Sequence, residues 1–157
     1  MRHAKVEKRQ INPDKIYNST LVAKFINQIM IDGKKTIAEK KFYNALTILG
    51  KDGKNPIEVF ELALQNIGPK VEVKARRVGG ANYQVPQEVR SDRRIALAIR
   101  WLAESANKRS NKEFRTFEEK LVAEITDATL NQGEAVRKRE TMQRQADANK
   151  AFASFRW

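Results

Sequence analysis

The chain has 157 residues, 41% of them hydrophobic and 32% charged, which suits one folded domain with a modest core and excludes a disordered polyelectrolyte. Its formal charge is +12, which repels itself unless a polyanion or counterions answer it. Nucleic acid is therefore the leading partner and an anionic membrane surface the second.

There is no cysteine, so no disulfide framework and no thiolate metal site. The single histidine, His3, has no second residue placed to make it a ligand or a base, and reads as a solvated tail residue. Met1 to Lys5 lead into no apolar stretch, and no apolar run approaches the roughly 18 residues of a spanning helix. The expectation is a soluble, cytoplasmic protein with no membrane partner, no metal and no cofactor.

Residues 1–17 carry charges without periodicity, and Pro13 disfavours a regular helix, so an extended basic tail is expected. A first helix should start near Asn18 or Ser19, with Leu21, Val22, Phe25, Ile26 and Ile29 at helical spacing and Gly33 as its stop. A second opens with Thr36 and Glu39, a capping-box spacing, and carries Ile37, Phe42, Ala45, Leu46 and Leu49 up to Gly50. Asn55-Pro56-Ile57-Glu58 then sets a cap, a proline at the first helical position and a glutamate at the third. Val59, Phe60, Ala63, Leu64 and Ile67 make the third stripe, ended by Gly68-Pro69.

From Val71 the period becomes two. Val71, Val73 and Ala75 alternate with Glu72, Lys74 and Arg76, and Tyr83, Val85 and Val89 alternate after the glycines, which predicts a β-hairpin over 71–89. Gly79 and Gly80 form its turn. A two-residue loop would put the apolar residues of the two strands on opposite faces. A three-residue loop, Gly79 to Ala81, pairs Ala75 with Val85 and gathers them on one face, so the odd-length loop is expected. Pro86 cannot donate to a ladder, which points to a ribbon of two edge strands.

Ser91 or Asp92 can cap a fourth helix reaching about Lys108, a capping box at Thr116 and Glu119 opens a fifth, and Gly133 precedes a C-terminal helical tail, 134–157. The fold expected is a single, mostly α domain, 1–157, of about six helices with a protruding two-stranded antiparallel β-hairpin between the third and fourth.

Between Lys70 and Arg115 lie twelve basic and five acidic residues, an excess of more than half the chain's +12. On the fourth helix, Arg93, Arg94, Arg100, Lys108 and Trp101 fall within roughly 120° of one another, opposite Ile95, Ala98, Ile99, Leu102 and Ala106. A cationic face bearing a tryptophan thus adjoins a basic hairpin, the footprint of a polyanion-binding surface. Arginine suits it, because its planar fork grips two phosphate oxygens, and Trp101 or Tyr83 could stack on a base. Arg109 extends the fourth helix's cations, and Arg137, Lys138, Arg139 and Arg144 add a second basic cluster. There is no P-loop, no Ser/His/Asp set and no paired carboxylates, so no catalytic residue is assigned.

Three stretches, LVAKFINQIMIDGKK, ARRVGGANYQVPQEVRSDRRIALAIRWL and DANKAFASFRW, resemble the bacterial-type small-subunit ribosomal protein seven family, over essentially the whole chain and in the same order. The resemblance implies a structural, non-enzymatic protein, monomeric within the small ribosomal subunit. It would bind the 3′ major (head) domain of the small-subunit ribosomal RNA and organise head assembly, near the tRNA exit site, beside ribosomal protein eleven and neighbouring head proteins. The matching RNA-contact positions are Arg2, Lys5, Lys8 and Arg9; Lys34 and Lys35; Arg76 and Arg77; and Arg90, Arg93 and Arg94. The stretch SNKEFRTFEEKL is longer than the family's usual link into the fifth helix, and Phe155 stands where tyrosine is common. The residues leave two other readings: a β-ribbon DNA bender, which usually carries an apolar wedge at the tip where this chain has glycine, and an RNA-processing enzyme, which lacks a catalytic set.

Overall fold

The computed structural model describes residues 10–155 apart from 52 and 54. Six α-helices run in the expected order: α1 Thr20–Ile29, α2 Lys35–Gly50, α3 Pro56–Ile67, α4 Ser91–Lys108, α5 Phe117–Thr129 and α6 Glu134–Ala148. The strands β1, Val71–Val78, and β2, Ala81–Glu88, lie between α3 and α4, and a 3-10 helix, Lys150–Phe155, follows α6.

Local chemistry sets several boundaries as read. Asn55 accepts from the Ile57 N–H and Pro56 opens α3. Thr116 and Glu119 form a reciprocal capping box on α5, satisfying backbone donors that the first turn leaves free. Other boundaries move. Thr36 lies inside α2, whose cap position is Lys34 with no side-chain bond, because left-handed Asp32 and Gly33 turn the chain into the helix earlier. The cap position of α4 is Arg90 rather than Ser91 or Asp92. The end of the expected tail is not extended. Asp14, 8% exposed, accepts the Tyr43 hydroxyl at 2.6 Å and the N–H groups of Ile16 and Tyr17 at 3.1 Å, folding residues 14–17 against α2.

Phe25, Phe42 and Phe60, one from each of the first three helices, meet at ring-centroid distances of 4.8, 5.4 and 5.2 Å in the core. Burying each side chain contributes about 2–3 kcal/mol. In α2 the stripe holds at Phe42, Ala45, Leu46 and Leu49, but at its start Ala38 is buried in place of Ile37, which is 53% exposed. Helix α4 touches α1, α3, α5 and α6. It buries far more than one stripe, including Leu97 and Trp101, each 8% exposed.

The hairpin adopts the even-length turn, not the odd-length loop expected. Val78 pairs with Ala81, Ala75 with Gln84 and Val73 with Pro86, around the two-residue turn Gly79-Gly80. Both glycines have positive φ, +56° and +88°, the type I′ geometry whose twist matches that of the strands. The apolar residues need not gather on one side, because both faces are covered near the base. Val73 and Pro86 share one face, and Val85 and Tyr83 share the other, with α6 beside β1 and the 3-10 helix against β2. In this register the Val73–Pro86 pair is a non-hydrogen-bonded one, so the proline's missing N–H costs the ladder nothing.

A buried carboxylate ties the C-terminal half together. Glu124, 0% exposed, accepts from Arg109 Nε at 2.7 Å and from the Ala135 N–H at 2.9 Å, in the first turn of α6. Arg109 also pairs with Asp127. Gly133 lies at φ +93°, and a β-carbon there would stand 3.0 Å from Glu124 Oε1, so both backbone and space require glycine. Replacing Glu124 with alanine removes one of the two carboxylates that hold the half-buried Arg109 guanidinium and strands a helix-terminal donor. We expect a loss of about 3 kcal/mol, read as a lower urea midpoint at unchanged slope, and a smaller loss for Glu124→Gln.

Candidate nucleic-acid interface

The candidate interface is built on β1 and the first turns of α4. Alternation puts Glu72, Lys74 and Arg76 on one face of β1, about 7 Å apart at each step. Glu72 is the organiser. Its side chain is 5% exposed, and it accepts from Arg93 Nε at 2.6 Å and pairs with Lys74 Nζ at 3.2 Å. Burial alone pushes its carboxyl up, but the hydrogen bonds and charges of Arg93 and Lys74 outweigh this and hold it below the usual carboxylate range. The base of the ribbon is thereby locked to α4 with two cations facing outward. The Lys70 carbonyl, accepting from the Val89 N–H at 3.0 Å, closes the same base.

Arg94, the neighbour of Arg93, does different work. Its Nε donates to the Gly68 carbonyl at 3.1 Å and a terminal nitrogen to the Gln65 carbonyl at 3.2 Å, satisfying acceptors at the end of α3. A β-carbon on Gly68 would come within 2.8 Å of this arginine, so the glycine is a clearance for it.

The expected contact residues thus divide. Arg77, Arg90, Arg100 and Lys108 are exposed and Arg76 half-buried, and no described residue accepts from or pairs with their side chains. Arg93 is 56% exposed despite its tie to Glu72. Lys34, the cap position of α2, and Lys35, its first residue, are exposed, in loose pairs with Asp32 at 4.0 Å and Glu39 at 3.8 Å. Arg137 is exposed and paired with Glu134 at 2.8 Å, and Lys138 reaches Glu104 on α4 at 2.6 Å. Arg109 belongs to the Glu124 knot, and its guanidinium also lies 5.6 Å from the Phe114 ring centroid. Trp101 belongs to the core, so it has little ring face left for a base. Arg2, Lys5, Lys8 and Arg9 lie outside the described residues.

In the sequence Glu72 is legible only as a dilution of positive charge. A single acid alternating with cations in an otherwise basic strand is the signal that could have marked it. Lys70 enters there only through the charge count, and Lys74 through that count and the strand's alternation. Among the described residues, no group of three or more His, Asp or Glu side chains could hold a metal, and no helix is long and apolar enough to cross a membrane.

This partition has measurable consequences. Arg94→Ala should cost about 2 kcal/mol in thermal unfolding followed by circular dichroism. Arg77→Ala, Arg90→Ala and Arg100→Ala should each stay within about 0.5 kcal/mol of the parent. The depressed carboxyl of Glu72 contributes stability above the ordinary glutamate value of 4.5 and loses it as pH falls through the lower folded value. Denaturant midpoints of the parent and Glu72→Gln should therefore separate above that pH and converge in stronger acid.

The family model described as ribosomal protein S7p/S5e matches residues 1–150. The small ribosomal subunit protein uS7 of Acetivibrio thermocellus is 57% identical over 157 residues, spanning 99% of each chain. That of Caldicellulosiruptor bescii is 55% identical over 157 residues, again 99% of each, and that of Desulfitobacterium hafniense 56% over 153 residues, 97% of this chain and 96% of its own.

Proposed function

The chain belongs to the ribosomal protein S7p/S5e family, and on that premise we propose that it binds the 3′ major domain of the small-subunit ribosomal RNA and organises the head. It is a small-subunit ribosomal protein with an RNA-binding, structural role in translation, not an enzyme. The reading places it in the cytoplasm, on the ribosome, near the tRNA exit site, with ribosomal protein eleven and other head proteins as neighbours.

One observation carries the RNA reading. Arg76, Arg77, Arg90 and Arg100 project from the ribbon and α4 without an acceptor among the described residues, although the fold uses other arginines for its own carbonyls and carboxylates. Such a set, grouped on neighbouring elements, suits an external polyanion. The ribbon and the helix rise from one base, so their cations can address two phosphate runs of a folded RNA. A guanidinium fork fixes orientation there as well as affinity.

The test is footprinting of the purified protein on naked small-subunit RNA, combined with titrations at several salt concentrations. Protection should fall in the head domain, and log affinity should decline steeply with log salt. Arg77→Ala, Arg90→Ala and Arg100→Ala should each reduce that slope by about 1 for every phosphate left without its arginine. Equal affinity for this RNA and for random duplex DNA at matched salt would sink the reading.

A further inference from the structure

The chain's last described segment does not trail away from the molecule. Its 3-10 helix lies against β2 and sets two phenyl rings on Tyr83. Phe152 and Phe155 stand 5.2 and 5.1 Å from the tyrosine ring, centroid to centroid, tilted by 53° and 49°. Their own planes are 12° from parallel and 6.3 Å apart. All three rings are half-buried, and the cluster stands apart from the core of the helical bundle. Each tyrosine–phenylalanine contact lies in the separation range where aromatic pairs attract beyond the area they bury.

The position of the cluster gives it a use. Tyr83 is the outermost residue of β2 that is not fully exposed, since Ala81 and Asn82 beyond it are open to solvent. It pairs across the ladder with Arg76. Gripping Tyr83 therefore fixes the residue pair that carries one interface arginine, and strand alternation sends Arg77 and Asn82 to the opposite face. The sheet has two strands only, a structure that is marginal in water without support on a face.

We infer that Phe152 and Phe155 are positioning residues of the RNA interface. Through Tyr83 they hold the outer half of the ribbon in its binding pose before RNA arrives, without contacting RNA themselves. The inference rests on the RNA reading above. A ribbon ordered in advance does not charge its ordering entropy to the binding step. Linkage makes the effect reciprocal: RNA on the ribbon stabilises the docked terminal segment by the same factor.

The experiment uses the full chain and the double variant Phe152→Ala/Phe155→Ala. Amide hydrogen exchange of the free protein addresses the clasp without reference to RNA. The amides around Arg76 and Tyr83 should exchange about tenfold faster, while those of α1 to α5 keep their protection. Affinity for naked small-subunit RNA should fall by about the same factor, with the salt slope unchanged because every phosphate keeps its cation. Phe155→Tyr, which keeps the ring, should behave as the parent, and adding Tyr83→Ala to the double variant should change nothing further. If the double variant loosens the helices as well, Phe152→Leu and Phe155→Leu carry the same readouts. Unchanged ribbon exchange overturns the clasp, and faster exchange at full affinity overturns its role in binding. A shallower salt slope, or a further loss on removing Tyr83, would make the rings direct contacts and overturn the inference.

Discussion

Self-repulsion is the constraint on which this structure rests. A chain with 31 lysines and arginines against 19 acids carries a formal charge of +12, so the positions of its acids matter. The buried carboxylates are accordingly placed at junctions. Asp14 folds the end of the N-terminal segment onto α2, Glu72 locks the ribbon to α4, and Glu124 joins α4, α5 and the start of α6. Each collects more than one donor, so its desolvation is offset by several hydrogen bonds. Backbone carbonyls serve as acceptors too. Arg94 takes those of Gln65 and Gly68, and Arg139 donates to that of Asn66 at 2.5 Å. Arg76, Arg77, Arg90, Arg100 and Lys108, on or beside the ribbon and α4, are cations left without such a partner among the described residues.

This arrangement explains what the sequence could and could not show. Helix existence and order follow from period and capping, which are local, and the caps at Asn55 and Thr116 are met as written. A helical wheel of α4 puts Trp101 among the cations because it assumes one buried face. Helix α4 buries most of its circumference, and how its neighbours pack around it is not a local property. Charge can be counted along the chain, but a structural arginine and a free one look alike there. Arg93 and Arg94 are adjacent, and the acceptor that distinguishes Arg94 lies 26 residues away at Gly68.

The hairpin register is hidden for a related reason. Choosing the loop length requires knowing which faces will be covered, and the cover on one side is supplied by a segment more than sixty residues downstream. The two glycines could have decided it alone, since consecutive positive φ values are what a two-residue type I′ turn demands. Turn chemistry is the stronger local signal here, and the apolar pattern the weaker.

With both faces of the ribbon in use, its length becomes a discrete quantity. One residue added to a single strand slips the register, and one added to each strand keeps the pairing but turns everything outboard to the other side. Only two residues per strand preserve both pairing and facing, which moves the tip by about 7 Å. The reach of the Gly79-Gly80 tip from the bundle is therefore quantised. Smaller adjustments have to come from tilting the whole ribbon about its base, where Glu72 and Arg93 hold it to α4.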